Sequence, residues 1–496
     1  MEKFDVCVIG AGPSGYAAAM RALDLGLKVL IIEKAKVGGA GLYDGALSSK
    51  TLWELSKDVF MARKRVNKYS VCKDFMVDFG KIKLELKGAI EERKNQLEGH
   101  LESLKEEGFK ELLFQKYGTA KLLNKNTIQI TALDNSTEEV WADNIIIATG
   151  SRPRKLPNIP IDEQLICTSD SVHGWEELPK SMVILGAGVI GCEYATIYSN
   201  FGRTKVYVID KAPQILPFED SDVSGMVENH FENNGIHIHR NSTLERMDIK
   251  NGKVEYEISY KDGRREIFEV DKALVAVGRV PNVEGLGLEE VGINLTNRNA
   301  IVNNDTQTDV PNIYAVGDVT ADVSLVNVGE LEGRHAIEKI AGLDVKPLVY
   351  DNISYIMFLK PEVAGVGLNE KQCRQKGISY QVVSLDYSRI PRAIAMRNPS
   401  GFFKIIVTND KNMKVLGMRA VGPHASSAIQ AVALMISQGM GIEALAELIH
   451  PHPSLIEGIQ ECCRMLSGNS IFKPQAIGTG VRYTGYVHEE DVELEN

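Results

Sequence analysis

The chain has 496 residues, 44% of them hydrophobic and 25% charged, and a formal net charge of −10. That length exceeds one ordinary hydrophobic core and predicts two to four domains, and the mixture is that of a soluble globular protein. The acidic balance argues against a nucleic-acid partner, whose phosphates favour a basic surface, and no apolar run approaches a membrane span. The first strand-like run, Phe4 to Ile9, begins almost at Met1, so no secretory signal is expected and a cytoplasmic location follows. Seven cysteines, Cys7, Cys72, Cys167, Cys192, Cys373, Cys462 and Cys463, form neither a CxxC pair nor a metal-like cluster. No metal site is expected, and the scattered spacing suits a reducing compartment.

In chain order, Phe4 to Ile9 reads as a buried strand, Gly10 to Gly15 as a turn, Tyr16 to Leu25 as a helix and Lys28 to Glu33 as a second strand. This is a βαβ unit. Two polar helical stretches follow, Leu52 to Val66 and Phe75 to Gly108; the second, rich in Glu and Lys with apolar residues at helical spacing, is predicted to show a solvated outer face and one packed stripe. Tyr117 to Ile147 alternates like hairpin strands. The βαβ grammar then returns: strand Ser181 to Leu185, turn Gly186 to Gly191, helix Cys192 to Phe201, strand Lys205 to Asp210. From about Ile353 the pattern becomes α+β, with strands at Val363–Val366, Phe402–Val407 and Val415–Val421 and helices at Ser426–Gln438 and Ile442–Leu448. The end, from Lys473, reads as loop and finishes in the acidic run His488–Asn496, expected to be poorly ordered without a partner.

Each βαβ turn carries GxGxxG. The first glycine permits the tight turn, the second lets the backbone approach a pyrophosphate, and the third lets helix and strand pack closely while the helix N-terminus faces the phosphates. Gly10, Gly12 and Gly15 meet this pattern, with Glu33 placed to accept from a ribose diol. Gly186, Gly188, Gly191 and Asp210 repeat it. A lone motif is weak, but two complete ones predict two dinucleotide sites. Asp210 repels a 2′-phosphate and so favours NADH over NADPH, a preference that Arg203 and Lys211, close in sequence, could soften.

These residues resemble the pyridine nucleotide–disulfide oxidoreductases, dihydrolipoamide dehydrogenase in particular, from about Phe4 to Leu466. Ala148-Thr149-Gly150 with Ser151-Arg152-Pro153 is similar to the family's crossing from its FAD to its NAD domain. Val277-Gly278-Arg279-Val280-Pro281-Asn282 resembles the crossing back. Ile313 to Asp318 resembles the second FAD motif, whose aspartate contacts the ribityl chain, and Pro361 to Gly367 resembles the opening of the dimerisation domain. The resemblance implies an α/β fold of two Rossmann-like dinucleotide-binding domains plus an α+β dimerisation domain. The implied boundaries are 1–150 and 282–347 for FAD, 151–281 for NAD, 348–470 for dimerisation and 471–496 for a C-terminal tail. It also implies a homodimer. Lys50 resembles the lysine near flavin N5 and Glu193 its ion-pair partner. His452 resembles the acid–base that reaches the partner subunit's active site, oriented by Glu457; a packing role at the dimer interface is the alternative.

The family's redox segment reads GG-x-C-x4-C-x3-K. Here Gly38-Gly39 and Ser49-Lys50 bracket a segment with Gly41 and Ala46 at the cysteine positions. Thiol–disulfide exchange needs a thiolate attacking a disulfide sulfur, which neither residue offers. Cys462-Cys463 are expected to be small buried helical residues, their side chains about 100° apart and poorly disposed to bridge. Tyr43 and Asp44, unusual at their positions, could fill vacated space or offer a hydroxyl to an acceptor. The reading that follows is an FAD-dependent NAD(P)H oxidoreductase whose electrons pass from flavin directly to a non-disulfide acceptor, such as a quinone or a partner redox protein, with no dihydrolipoamide dehydrogenase activity. A non-catalytic or sensory nucleotide-binding subunit of a larger complex and a soluble pyridine nucleotide transhydrogenase are the alternatives.

Overall fold

The computed structural model describes residues 1–70, 75–320, 322–473, 476 and 478–488. Apolar runs rich in Val and Ile build three main sheets. In the first, the strands Leu113–Tyr117, Val29–Glu33, Glu2–Ile9 and Thr137–Ile147 lie side by side in parallel, and Ile313–Ala315 adds in parallel to the far half of Thr137–Ile147. The near half of that long strand instead carries an antiparallel hairpin, Thr127–Thr131 and Thr119–Leu122. Val29–Glu33 is buried at every position. A strand covered on both faces reads as a continuous hydrophobic run, without alternation. The helices Pro13–Asp24 and Val326–Ile340 pack on each other against this sheet.

The second sheet is wholly parallel, in the order His237–His239, Lys205–Ile209, Ser181–Leu185, Lys272–Val275, Ile166–Thr168. A three-stranded antiparallel sheet, Ser242–Lys250, Lys253–Tyr260 and Arg265–Val270, lies over it. Between the first two sheets the chain crosses twice, and the crossings Ser151–Pro153 and Arg279–Pro281 pair antiparallel. The third sheet is antiparallel: Ser354–Met357, Val363–Gly367, Val415–Val421, Phe402–Thr408, Tyr380–Asp386, Val481–Tyr486. The fold class read from the sequence is therefore the one observed.

Helix limits shift outward or inward by a few residues from expectation. The two polar helices run Ala46–Tyr69 and Phe79–Leu104, and the glycine-turn helix of the second unit starts at Val189. One reading is corrected. The segment after Lys473 is not all loop, because Val481–Tyr486 pairs residue for residue with Tyr380–Leu385 as the edge strand of the third sheet. The acidic residues 489–496 and Cys72 lie outside the described residues. Among the described residues no helix is long and apolar enough to cross a membrane.

Candidate active site

The two glycine turns are near copies. Gly10 and Gly186 adopt φ of 107° and 106°, and a Cβ at either would collide with the carbonyl oxygen of Ala148 or Ala276 on the neighbouring strand's end. A Cβ on Gly15 or Gly191 would run into the carbonyl of Gly10 or Gly186, so each helix lies hard against its strand. Gly12 and Gly188 differ from these: nothing lies within 4 Å of their would-be Cβ atoms. Each is the N-cap of its helix and supplies no side-chain cap, leaving the first N–H groups directed at open space. Such a space, walled by backbone donors and free of Cβ atoms, fits a dinucleotide pyrophosphate.

The carboxylates at the second strand ends are held alike. Glu33 accepts from Ala11 N–H at 2.7 Å and from Ala35 N–H at 2.8 Å. Asp210 accepts from Ala187 N–H at 2.7 Å and Ala212 N–H at 2.8 Å. Two backbone donors fix each group at the mouth of its turn, where a diol could add a further bond.

Gly150 and Gly278 stand at opposite ends of the paired crossings. Asn282 N–H donates to Gly150 O at 2.9 Å and Arg154 N–H to Gly278 O at 3.0 Å. Ser151 hydroxyl donates to Asp318 at 2.7 Å, and Arg279 Nε donates to that hydroxyl at 2.8 Å while its head faces Asp170 at 3.4 Å. Asp318 is thus tied to the crossing by a serine that composition did not single out. Glu332 was missed as well. It is buried on the helix Val326–Ile340, accepts from Gly317 N–H at 2.6 Å and from Tyr350 hydroxyl at 2.9 Å, and has its carboxyl pushed up to about 7, chiefly by burial. A Glu at helical spacing reads as a solvated position, and no motif marked it.

Lys50 and Glu193 meet across two helices. Lys50 Nζ lies 2.8 Å from Glu193 Oε2, and Glu193 Oε1 accepts from Phe358 N–H at 3.0 Å. Glu193 is 3% exposed, so its charge is compensated by one ammonium and one backbone donor. Lys50 also lies over the Phe358 ring, 5.1 Å from its centroid. Ahead of the helix that carries Lys50, Gly41 stands against Pro13: a Cβ there would lie 2.6 Å from Pro13 Cγ. The Tyr43 ring lies under Lys36 at 4.9 Å, its hydroxyl buried without a hydrogen-bond partner. The six described cysteines are all buried and unpaired. Cys462 and Cys463 sit side by side in the helix Glu457–Leu466, and burial pushes the Cys463 thiol up to about 12 and that of Cys462 well above the usual range. Neither is suited to thiolate chemistry.

His452 Nδ1 lies 2.7 Å from Glu457 Oε1, and Glu457 Oε2 accepts from Ser454 N–H at 2.7 Å. Burial raises the Glu457 carboxyl, but the Ser454 N–H and His452 outweigh it and hold it below the ordinary value. The imidazole is 68% exposed, with its second nitrogen directed outward. Among the described residues no hydrogen bond or ion pair joins it to Lys50 or Glu193, so within one chain the structure forms two separate pairs.

Residues 4–336 match the pyridine nucleotide-disulphide oxidoreductase family, and residues 353–463 match that family's dimerisation domain. The chain belongs to this family. Its members use FAD and NAD(P)H, in keeping with the two open glycine turns. Among curated relatives, the dihydrolipoyl dehydrogenase of Geobacillus stearothermophilus is 33% identical over 469 residues, 94% of this chain and 97% of the relative. That of Buchnera aphidicola is 35% identical over 468 residues, 93% and 96% of the two chains. Among solved structures, LpdA from Mycobacterium tuberculosis aligns with a TM-score of 0.85 at 27% identity, over 94% of this chain and all of that one. The HOCl-induced flavoprotein disulfide reductase RclA from Escherichia coli aligns with a TM-score of 0.83 at 25% identity, over 94% and 100%.

Proposed function

We propose that this family member is an FAD-dependent NAD(P)H oxidoreductase that hands electrons to a non-disulfide acceptor, such as a quinone or a partner redox protein. The observation that carries the reading is the Lys50–Glu193 pair, formed at 2.8 Å, a few residues from Gly41 and Ala46, where the family's redox segment would place its cysteines. The nearby cysteines of the fold, Cys167 and Cys192, offer no replacement: burial raises both thiols, and each donates or accepts a local bond, Cys192 to Ala187 O and Cys167 from Trp175 Nε1. Loss of a thiol outlet with retention of the charged pair favours a changed acceptor over a changed donor.

Bound FAD and NADH supply hydride transfer between nicotinamide and flavin. The protein's contribution is placement. Gly12 and Gly188 admit the two pyrophosphates, and Glu33 and Asp210 orient the adenosine riboses, with Asp210 favouring a free 2′-hydroxyl. Asp318, steadied by Ser151, orients the ribityl chain. Glu193 holds the Lys50 ammonium in one position, where a fixed positive charge favours the reduced, anionic flavin. His452, oriented through Nδ1 by Glu457, presents Nε2 to the partner subunit as a proton donor in a homodimer. The chain divides accordingly into FAD (1–150, 282–347), NAD (151–281) and dimerisation (348–470) domains, the last completed by the edge strand Val481–Tyr486.

The test is an anaerobic titration of the flavin-loaded protein with NADH, followed by acceptors. The flavin absorbance should bleach with one equivalent of NADH and return on adding a quinone, while dihydrolipoamide and lipoamide leave it unchanged. Lipoamide turnover at a rate rivalling the quinone, or no bleaching at all, would overturn the proposal.

A further inference from the structure

A cavity of about 730 Å³ lies far from both glycine turns. It is lined by Arg63, Lys64 and Lys68 from the end of the helix Ala46–Tyr69 on one wall, and by Lys180, Arg203 and Lys205 on the other. Among the described residues no carboxylate lines it. Among the described residues none of the six cations has an ion-pair partner. In a chain of net charge −10, six unpaired cations around one cavity form a concentration that composition does not predict.

The position excludes the dinucleotide site. Lys180 and Lys205 stand at the starts of the parallel strands Ser181–Leu185 and Lys205–Ile209, whereas the Gly186–Gly191 turn follows the carboxyl end of the first. Nucleotides of a doubly wound sheet bind at the carboxyl ends of its strands, so the cavity lies at the opposite, amino end of this sheet.

Helix ends offer a plainer account of the cations. The helices Ala46–Tyr69, Val189–Phe201 and Ser221–Asn233 all terminate here, and Arg63 does cap one, donating to Asn200 O at 3.2 Å. Each helix end carries about half a negative charge, roughly 1.5 in sum, so most of the six positive charges remain uncompensated. Neighbouring groups register the excess. Lys360 Nζ is buried over the Phe60 ring without a hydrogen-bond acceptor; burial, then Lys64 and Lys57, push it down to about 7. His230 is pushed down to about 4 by burial, Lys360 and Lys64.

We propose that this cavity is a binding site for a polyphosphate-bearing anion, its phosphates spanning the two cationic walls. One phosphate would engage one wall and leave the other repelling itself. Two or three in a chain match both, and the volume lies within the range of small-molecule sites.

The experiment is calorimetric titration of the full-length flavoprotein with sodium triphosphate, and separately with ATP, each without NADH and again with saturating NADH. The expected result is saturable binding of one triphosphate per chain, weakened at least tenfold in Lys64→Gln/Lys180→Gln, which removes one cation from each wall. Arg203→Gln, an exposed single change, should weaken it several-fold and serves if the double variant misfolds. Equal affinity for ATP and triphosphate assigns recognition to the phosphate chain alone, and tighter ATP binding adds a contribution from the nucleoside. Displacement by NADH, unchanged binding in the variants, or binding of ATP without triphosphate would overturn the proposal.

Discussion

Glu332 shows what one side chain can conceal. Its carboxyl, pushed up to about 7 mainly by burial, binds a proton in the folded state well above the pH at which an unfolded glutamate releases one. Its stabilising contribution is complete below about pH 4.5 and is lost as the pH rises towards 7, up to about 3 kcal/mol in all. Glu332→Gln, which keeps the shape and the Gly317 N–H bond, should flatten the dependence of urea stability on pH between 5 and 7. An unchanged slope would place the titration elsewhere. Lys50, Glu193, His452 and Glu457 were legible in the sequence because a fixed register ties each to a motif. Glu332 was not, and Ser151 was legible only as part of the crossing and not as the partner of Asp318, since one acts on the Gly317 N–H and the other on a carboxylate of a distant segment, and spacing carries no record of which segments face each other.

The edge strand Val481–Tyr486 makes the same point for elements. Its sequence, VRYTGY, is short, carries a glycine and follows Gly478 and Gly480, so it reads as loop. Partner contacts decide otherwise. Tyr486 stacks on Tyr380 at 5.6 Å and Arg482 reaches Glu370 at 2.7 Å, against a ladder already formed by Tyr380–Asp386. Ending the chain at Gly480 should lower the thermal midpoint by several degrees and expose the edge of Tyr380–Asp386 to aggregation, measurable by calorimetry and light scattering. Arg482→Ala alone should cost about 1 kcal/mol, because that guanidinium is partly in water. The glycine-turn units were readable for the opposite reason: their geometry is local, and Gly10 or Gly186 has no substitute.

At the scale of the molecule, the second and third sheets are fastened by charge. Lys404, fully buried in the strand Phe402–Thr408, lies 2.8 Å from Asp220, 2.7 Å from Asp222 and 3.3 Å from Glu370. Those three carboxylates could by themselves pass for a cation site, but the ammonium stands among them. Burial pushes the Asp220 and Glu370 carboxyls up, yet Lys404 and neighbouring donors prevail and hold both below the ordinary value. The resulting stability is present near neutrality and is lost as the pH falls through the carboxylate range. Lys404→Met should destabilise the protein by about 3–5 kcal/mol in urea unfolding at pH 7, with a smaller deficit at pH 4. The same packing logic governs Gly41, whose absent Cβ lets the loop close on Pro13. A cysteine introduced at Gly41 would press on the Pro13 ring, so the vacated thiol position is closed by packing as well as by composition: the ring or its loop would have to shift before a sulfur there could work.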